Sequence, residues 1–355
     1  MSLLALKETA QAMVANSKGL LAMDESQATC NLRFARAGIA QTVEMRRAYR
    51  ELLLTAPGLN ACISGVILHD ETFWQASAAG APLVGVAHDA GMLVGIKVDS
   101  GAADLAGQAG EKVTEGLDRL RQRLQAYAEM GARFAKWRAV FSVDDAERPS
   151  LACIDANAHA LARYAALCQE AGLTPVVEPE VWMEGGHTLA RCQEVTECVL
   201  RRVFAQLAVQ GVQLEGMILK PNMVTAGLAC ATQNTPVEVA DATIQCLLRV
   251  VPAAVPGIAF LSGGQAGELA SRRLNAMHIR LDLPVRTGAP SPSAPCPTLP
   301  WPLSFSFARA LQHPALEIWA GQEVNKTAAQ QALLHRARCH CAALQGDYHA
   351  ALEAC

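Results

Sequence analysis

Three lysines lie inside apolar runs, where an ammonium group is costly: Lys220 in Gly216-Met217-Ile218-Leu219-Lys220-Pro221-Asn222, Lys136 in Phe134-Ala135-Lys136-Trp137-Arg138, and Lys97 in Gly95-Ile96-Lys97-Val98-Asp99. Burial disfavours the charged form of an amine, and a like charge a few ångströms away adds to the effect. A cluster of three would leave one amine neutral and nucleophilic while the others bind anions, which is what imine formation with a carbonyl compound requires. A single lysine at a strand end is better read as a snorkelling side chain or a salt-bridge partner. Three on buried segments reverse that preference and make one of them a candidate nucleophile.

Carboxylates occupy complementary places. Asp24 and Glu25 close one apolar run, and Glu178 and Glu180 close another in Val177-Glu178-Pro179-Glu180. Residues two apart on a strand share a face, so Glu178 and Glu180 are expected to point into one site, where mutual repulsion can raise one pKa and set a proton donor beside its conjugate base. The alternative, charge balance for the lysines, is compatible with moving protons. A third element suits anions: in Leu261-Ser262-Gly263-Gly264-Gln265 the glycines allow close backbone approach ahead of a helix N-terminus, and Arg309, ending Ser304-Phe305-Ser306-Phe307-Ala308-Arg309, adds a forked donor.

Eight short segments have the near-continuous apolar character of strands buried on both faces, at 19–24, 62–69, 93–99, 132–140, 174–180, 214–222, 257–264 and 303–309. Helical stretches at 112–130, 155–171, 189–210 and 236–250 alternate with them, which predicts a parallel sheet. Eight units favour a closed (β/α)8 TIM barrel over a doubly wound open sheet, because no GxGxxG motif follows the first strand. In such a barrel the reactive groups sit where strands reach the C-terminal face, which is where the lysines and carboxylates fall. We expect one barrel domain over 1–355. A proline-rich insertion is expected at about 284–302, where seven prolines oppose helix and sheet, and a helical tail at about 323–355.

The chain has 355 residues, 51% apolar and 18% charged, with net charge −3, so neither nucleic acid nor an anionic membrane is an expected partner. No uncharged apolar run is long enough to span a bilayer, and Lys7, Glu8 and Lys18 interrupt any signal-peptide core. Twelve cysteines without CxxC spacing suggest reduced thiols in the cytoplasm. His69, His88 and His187 are dispersed, so no metal and no cofactor is expected. An imine-forming lysine, acid–base carboxylates and anion sites together point to a small phosphorylated ketose or keto-triose and to aldol cleavage.

The chain resembles class I fructose-1,6-bisphosphate aldolase across nearly its whole length. Leu21-Ala22-Met23-Asp24-Glu25-Ser26, the three lysine segments, Val177-Glu178-Pro179-Glu180 and Phe260-Leu261-Ser262-Gly263-Gly264-Gln265 look like that family's signature stretches in the same order. The resemblance implies that Lys220 forms the imine with C2 of the ketose, that Glu178 moves protons as the imine forms and hydrolyses, and that Asp24 takes the C4 hydroxyl proton. Lys136 and Glu180 would hold the charge network. Ser262, Gly263, Gly264 and Arg309 would grip the C1 phosphate, Arg33 and Lys97 would face the C6 phosphate, and Arg138 would also contact substrate. It also implies a homotetramer.

Leu32 stands where the family usually has a lysine, Phe307-Ala308 replace its Tyr-Gly, and the tail ends at Cys355 without the terminal tyrosine of animal members. A weaker C6 anion site is therefore expected. Two other readings are a Schiff-base lyase or transferase for another phosphorylated keto-sugar and a catalytically idle oligomeric scaffold.

Overall fold

The structure is a computed structural model that describes residues 3–144, 147–286 and 299–354. Among the described residues ten strands form: β1 Gly19–Met23, β2 Ile63–Leu68, β3 Leu93–Lys97, β4 Gly101–Asp104, β5 Lys112–Glu115, β6 Phe134–Phe141, β7 Thr174–Val181, β8 Ile218–Leu219, β9 Ile258–Phe260 and β10 Leu303–Phe307. All but β4 and β5 pair in parallel and close a barrel in the order β1-β10-β9-β8-β7-β6-β3-β2, the expected (β/α)8 arrangement. The α-helices among the described residues are α1 Leu3–Val14, α2 Gln27–Arg36, α3 Val43–Leu54, α4 Asp70–Phe73, α5 Leu83–Asp89, α6 Leu120–Glu129, α7 Leu151–Glu170, α8 Leu189–Val209, α9 Pro236–Val250, α10 Gly267–Arg286, α11 Arg309–Trp319 and α12 Lys326–Leu344.

Each strand alternates between the barrel interior and the helix layer. Leu20 and Ala22 of β1, Ile67 of β2, Phe134 of β6, Val176 of β7, Ile218 of β8 and Ala259 of β9 form one apolar cluster that fills the barrel, and Ala10, Met13 and Val14 of α1 close it from below. A β-carbon on Gly95 would sit 2.1 Å from the Phe134 ring, so this layer packs only because β3 offers no side chain there. The period of two then dictates what comes next. Two residues beyond Ala22, Phe134, Val176 and Ile218 stand Asp24, Lys136, Glu178 and Lys220, so the charged groups form the layer directly above the apolar plug.

The structure corrects several expected boundaries. The helix expected at 112–130 starts only at Leu120, and its first residues form β5, which pairs antiparallel with β4. Gly116 enforces this break: its φ is +123°, and a β-carbon there would lie 2.8 Å from the Ser100 nitrogen. The segment 214–222 is not one strand. A 3₁₀ turn, Leu214–Gly216, precedes the two residues of β8. Pro221 has no N–H for a ladder, and its carbonyl instead accepts from the Leu261 amide at 3.0 Å. The C-terminal stretch is divided between a 3₁₀ turn at Glu323–Asn325, α12, and a second turn at Ala350–Ala354, with Gly346 at φ +72° between the last two. Helix α10 carries its backbone to Arg286, past Pro284, which takes three residues from the expected proline-rich insertion, and 287–298 lie outside the described residues.

Candidate active site

A cavity of about 730 Å³ opens at the C-terminal mouth of the barrel, and Asp24, Arg33, Lys97, Lys136, Arg138, Glu178, Glu180, Lys220, Ser262, Gly263, Gly264 and Arg309 all line it. Every residue singled out from the sequence therefore meets in one place. Beside them lie His69, Asp99 and Glu25, which the sequence reading left without roles.

At the floor, cations and carboxylates alternate. Lys220 Nζ is 2.9 Å from Glu178 Oε1, Lys136 Nζ is 3.1 Å from Glu178 Oε2, and Lys136 Nζ is 2.7 Å from Asp24 Oδ2. All four side chains are buried. This geometry revises the expectation of a bare lysine cluster. Lys97 and Lys136 are register neighbours across β3 and β6, but Lys97 turns to Asp99, at 2.6 Å from its Oδ1, while Lys136 lies between two carboxylates. Burial alone would lower the Lys136 pKa, and Asp24, Glu178 and Asp99 reverse that, holding the ammonium above its usual range.

The carboxylates also depart from expectation. Burial raises Glu178, but Lys136, Lys220 and Arg138 more than offset it, so the carboxyl lies below its usual range rather than above. Asp24 follows the same pattern: desolvation is overcome by Lys136 and Lys220, and the group is held ionised. Glu180 does not repel Glu178 across an empty space, because Arg138 Nε donates to its Oε2. The partner of Glu180 is thus Arg138, and Lys136 belongs to Asp24 and Glu178.

The rim holds the residues expected to bind anions. After β9 the chain turns through Gly263 at φ +52° and Gly264 at φ +84°, bringing the loop beneath Arg309, whose Nη2 donates to the Gly264 carbonyl at 3.0 Å. A β-carbon on Gly264 would lie 2.6 Å from that Nη2. Ala308 has φ −99° and ψ −94°. Partial burial together with Arg33 and Arg36 lowers the Arg309 pKa, a field that an incoming phosphate would relieve. Arg33 is placed by α2, which Ser26 caps at 3.2 Å to the Thr29 amide. Its Nη1 donates to Glu25 Oε1, while Glu25 also accepts from Arg50 at 2.6 Å and from Gln312 at 2.9 Å. Both cations facing the expected C6 end are therefore already countered by a carboxylate. Leu32, 55% exposed, adds no charge there.

Away from the cavity, His335, Cys339 and Glu353 bring three possible ligand atoms within 4.8 Å of one another, but Glu353 is already held by both terminal nitrogens of Arg336 and by the Tyr348 hydroxyl.

A buried amine, Lys220, set against a buried carboxylate at the mouth of a barrel fits an aldolase of the amine-dependent class. The family model for class I fructose-bisphosphate aldolase matches residues 5–354. The chain is 52% identical over 339 residues to a probable fructose-bisphosphate aldolase class 1 of Xanthomonas campestris pv. campestris, covering 95% of this chain and 96% of the other. It is 48% identical over 345 residues to fructose-bisphosphate aldolase B of Gallus gallus, covering 97% and 90%. A solved fructose-bisphosphate aldolase from Plasmodium falciparum, in complex with TRAP and a small molecule inhibitor, superposes with TM-score 0.91 at 42% identity over 98% of this chain and 96% of that one. The chain belongs to the class I fructose-bisphosphate aldolase family.

Proposed function

We propose that this barrel cleaves fructose 1,6-bisphosphate reversibly into dihydroxyacetone phosphate and glyceraldehyde 3-phosphate through an imine on Lys220. The observation that carries the reading is the 2.9 Å contact between Lys220 Nζ and an ionised, buried Glu178. Glu178 relays two protons in turn from Nζ to the C2 oxygen of the open-chain ketose: the first frees the amine that adds to C2 and makes the carbinolamine hydroxyl, and the second turns that hydroxyl into the water that leaves, so the protonated imine remains. Asp24 removes the C4 hydroxyl proton. The C3–C4 bonding electrons then flow into the protonated imine, glyceraldehyde 3-phosphate departs, and the enamine takes a proton at C3 before hydrolysis frees dihydroxyacetone phosphate. Lys136 stays charged throughout and stabilises both carboxylates, and Glu180 holds Arg138 at the wall. Ser262, Gly263, Gly264 and Arg309 grip the C1 phosphate, with Arg33 and Lys97 at the C6 end.

The protonated imine is the electron sink, so the chemistry draws on no metal. We place the protein in the cytoplasm, a reading supported by the buried reduced thiols of Cys30, Cys153, Cys168 and Cys246, and by the lack, among the described residues, of any helix long and apolar enough to cross a membrane. Family membership supports a homotetramer.

Borohydride added with dihydroxyacetone phosphate should reduce the imine to a stable secondary amine on Lys220, visible by peptide mass spectrometry and lost in Lys220→Ala. A trapped adduct on another lysine, or none, sinks the assignment.

A further inference from the structure

Helix α11 begins at Arg309, so the donor that grips phosphate is only as well aimed as that helix's first turn. The Ala310 carbonyl in this turn would ordinarily accept from the amide four residues on, but that residue is Pro314, which has no N–H. Left alone, a buried carbonyl at the root of the anion site would be unsatisfied, at a cost that selects against the conformation.

His340, on α12, takes the vacant place. It is fully buried, and its Nε2 lies 3.4 Å from the Ala310 oxygen. A carbonyl can only accept, so Nε2 carries the proton and Nδ1 must accept. The Ser271 hydroxyl of α10 donates to Nδ1 at 2.8 Å, and the same hydroxyl oxygen accepts from Arg336 Nη2 at 3.2 Å. Arg336 is in turn held by Glu353, at 2.6 and 2.7 Å. Each donor in this chain therefore has one available direction. The ring is wedged between Phe305 and Phe307 of β10, with centroids 5.2 and 4.9 Å away, and Phe307 is two residues from Arg309. On the other side Gly267, the first residue of α10, packs so close that a β-carbon would lie 2.6 Å from the same Ala310 oxygen. Burial and the nearby Arg336 push the His340 pKa down to about 3, so the imidazole keeps one neutral tautomer at working pH.

We propose that His340 is a positioning residue for the phosphate grip. It replaces the amide hydrogen that Pro314 lacks, fixes the Ala310 carbonyl, and so sets the direction in which the adjacent Arg309 presents its guanidinium. The inference rests on the reading of Arg309 as a phosphate donor. It also gives Ser271, Arg336 and Glu353, which reach no substrate, a place in substrate affinity through one imidazole.

The test is a KM-against-kcat comparison on fructose 1,6-bisphosphate for His340→Leu, His340→Gln, Pro314→Ala, the double variant His340→Leu/Pro314→Ala, and Arg309→Ala. His340→Leu should raise KM about five- to 150-fold, the cost of one orphaned buried carbonyl, with kcat and saturating borohydride trapping within about twofold of wild type. His340→Gln keeps a donor for Ala310 and should hold KM within about threefold. In the double variant the restored amide of residue 314 should return KM to that of Pro314→Ala. A purely structural histidine would instead lower the fraction of trappable sites and leave KM alone. An unchanged KM in folded His340→Leu, a KM in His340→Gln as high as in the leucine variant, or a double variant that does not recover overturns the proposal. If Arg309→Ala leaves KM unchanged, the phosphate-grip reading itself falls. If Arg309→Ala raises KM and His340→Leu does not, only the present inference falls.

Discussion

Replacing Lys136 with methionine keeps most of the side-chain volume and removes the charge that Asp24 and Glu178 share. The ammonium lies 2.7 Å from one carboxylate and 3.1 Å from the other. At the effective dielectric that suits protein sites, each contact corresponds to about 5–6 kcal/mol of Coulomb energy, most of which the wild type uses to offset desolvation. Removing one partner of such a group leaves buried charge uncompensated, and the expected loss of stability is about 3–5 kcal/mol. Its pH dependence follows from the directions of the shifts. Asp24 and Glu178 have folded pKa values below their ordinary 3.8 and 4.5, so in the wild type their contribution is present above those values and is lost as pH falls towards the folded ones. Lys136 is shifted up, so its own contribution is fully present below its ordinary 10.5 and fades only as pH rises beyond that. Without it, the burial that pushes both carboxyls up is opposed mainly by Lys220, and they take up protons more readily. The variant should therefore be destabilised most at pH 7 and least near pH 4, where protonation relieves it. Urea unfolding at the two pH values measures this directly. A loss below about 1 kcal/mol at pH 7, or one that does not shrink towards pH 4, would refute the account of Lys136 as the shared counter-charge.

Gly264→Ala introduces a methyl at φ +84° and 2.6 Å from Arg309 Nη2, and should raise KM for the bisphosphate severalfold while costing about 1–2 kcal/mol in a melt. Arg33→Ala should lower kcat/KM for fructose 1,6-bisphosphate and leave fructose 1-phosphate nearly unaffected, and equal losses on both substrates would place Arg33 away from the C6 end. Gly95→Ala drives a β-carbon into the Phe134 ring at 2.1 Å and should destabilise the barrel by about 1–3 kcal/mol, read by denaturant titration. Dialysis against EDTA should leave turnover unchanged, and activity that returns only with added metal would contradict the imine route.

How much of this was legible in the sequence depended on whether neighbours in the chain or neighbours in space decide a residue's role. The four floor residues could be found because a buried strand obeys a period of two, so a charge at the end of an apolar run on β1, β6, β7 or β8 has to surface at the mouth. The short span of β8 was hidden by its apolar flanks, since a buried turn and a buried strand have the same composition. The helix expected at 112–130 was misread because Val113 and Leu117 continue its apolar spacing, while the turn depends on Gly116 meeting Ser100 across β4 and β5. The missing site residues follow the same rule. Glu25, next to Asp24, faces the opposite way on leaving β1, out of the floor and towards α2 and α3. Only the approach of Arg33, Arg50 and Gln312 shows that it anchors Arg33, the arginine proposed for the C6 end.

The pKa directions reveal what composition could not. Three lysines on paper imply mutual repulsion, and two glutamates on one strand imply another, yet the barrel interleaves them so that neither repulsion survives. What distinguishes the lysines is the number of carboxylates each one holds. Lys136 has two within 3.1 Å, whereas Lys220 has one, which it shares with Lys136. Protonation of Glu178 by Lys220 therefore weakens one of the two contacts that keep Lys136 charged, while the Asp24 contact remains. The floor can pass a proton along Lys220 and Glu178 with Lys136 fixed as a cation, and that asymmetry supports the proposed roles of Lys220 as nucleophile and Lys136 as electrostatic anchor.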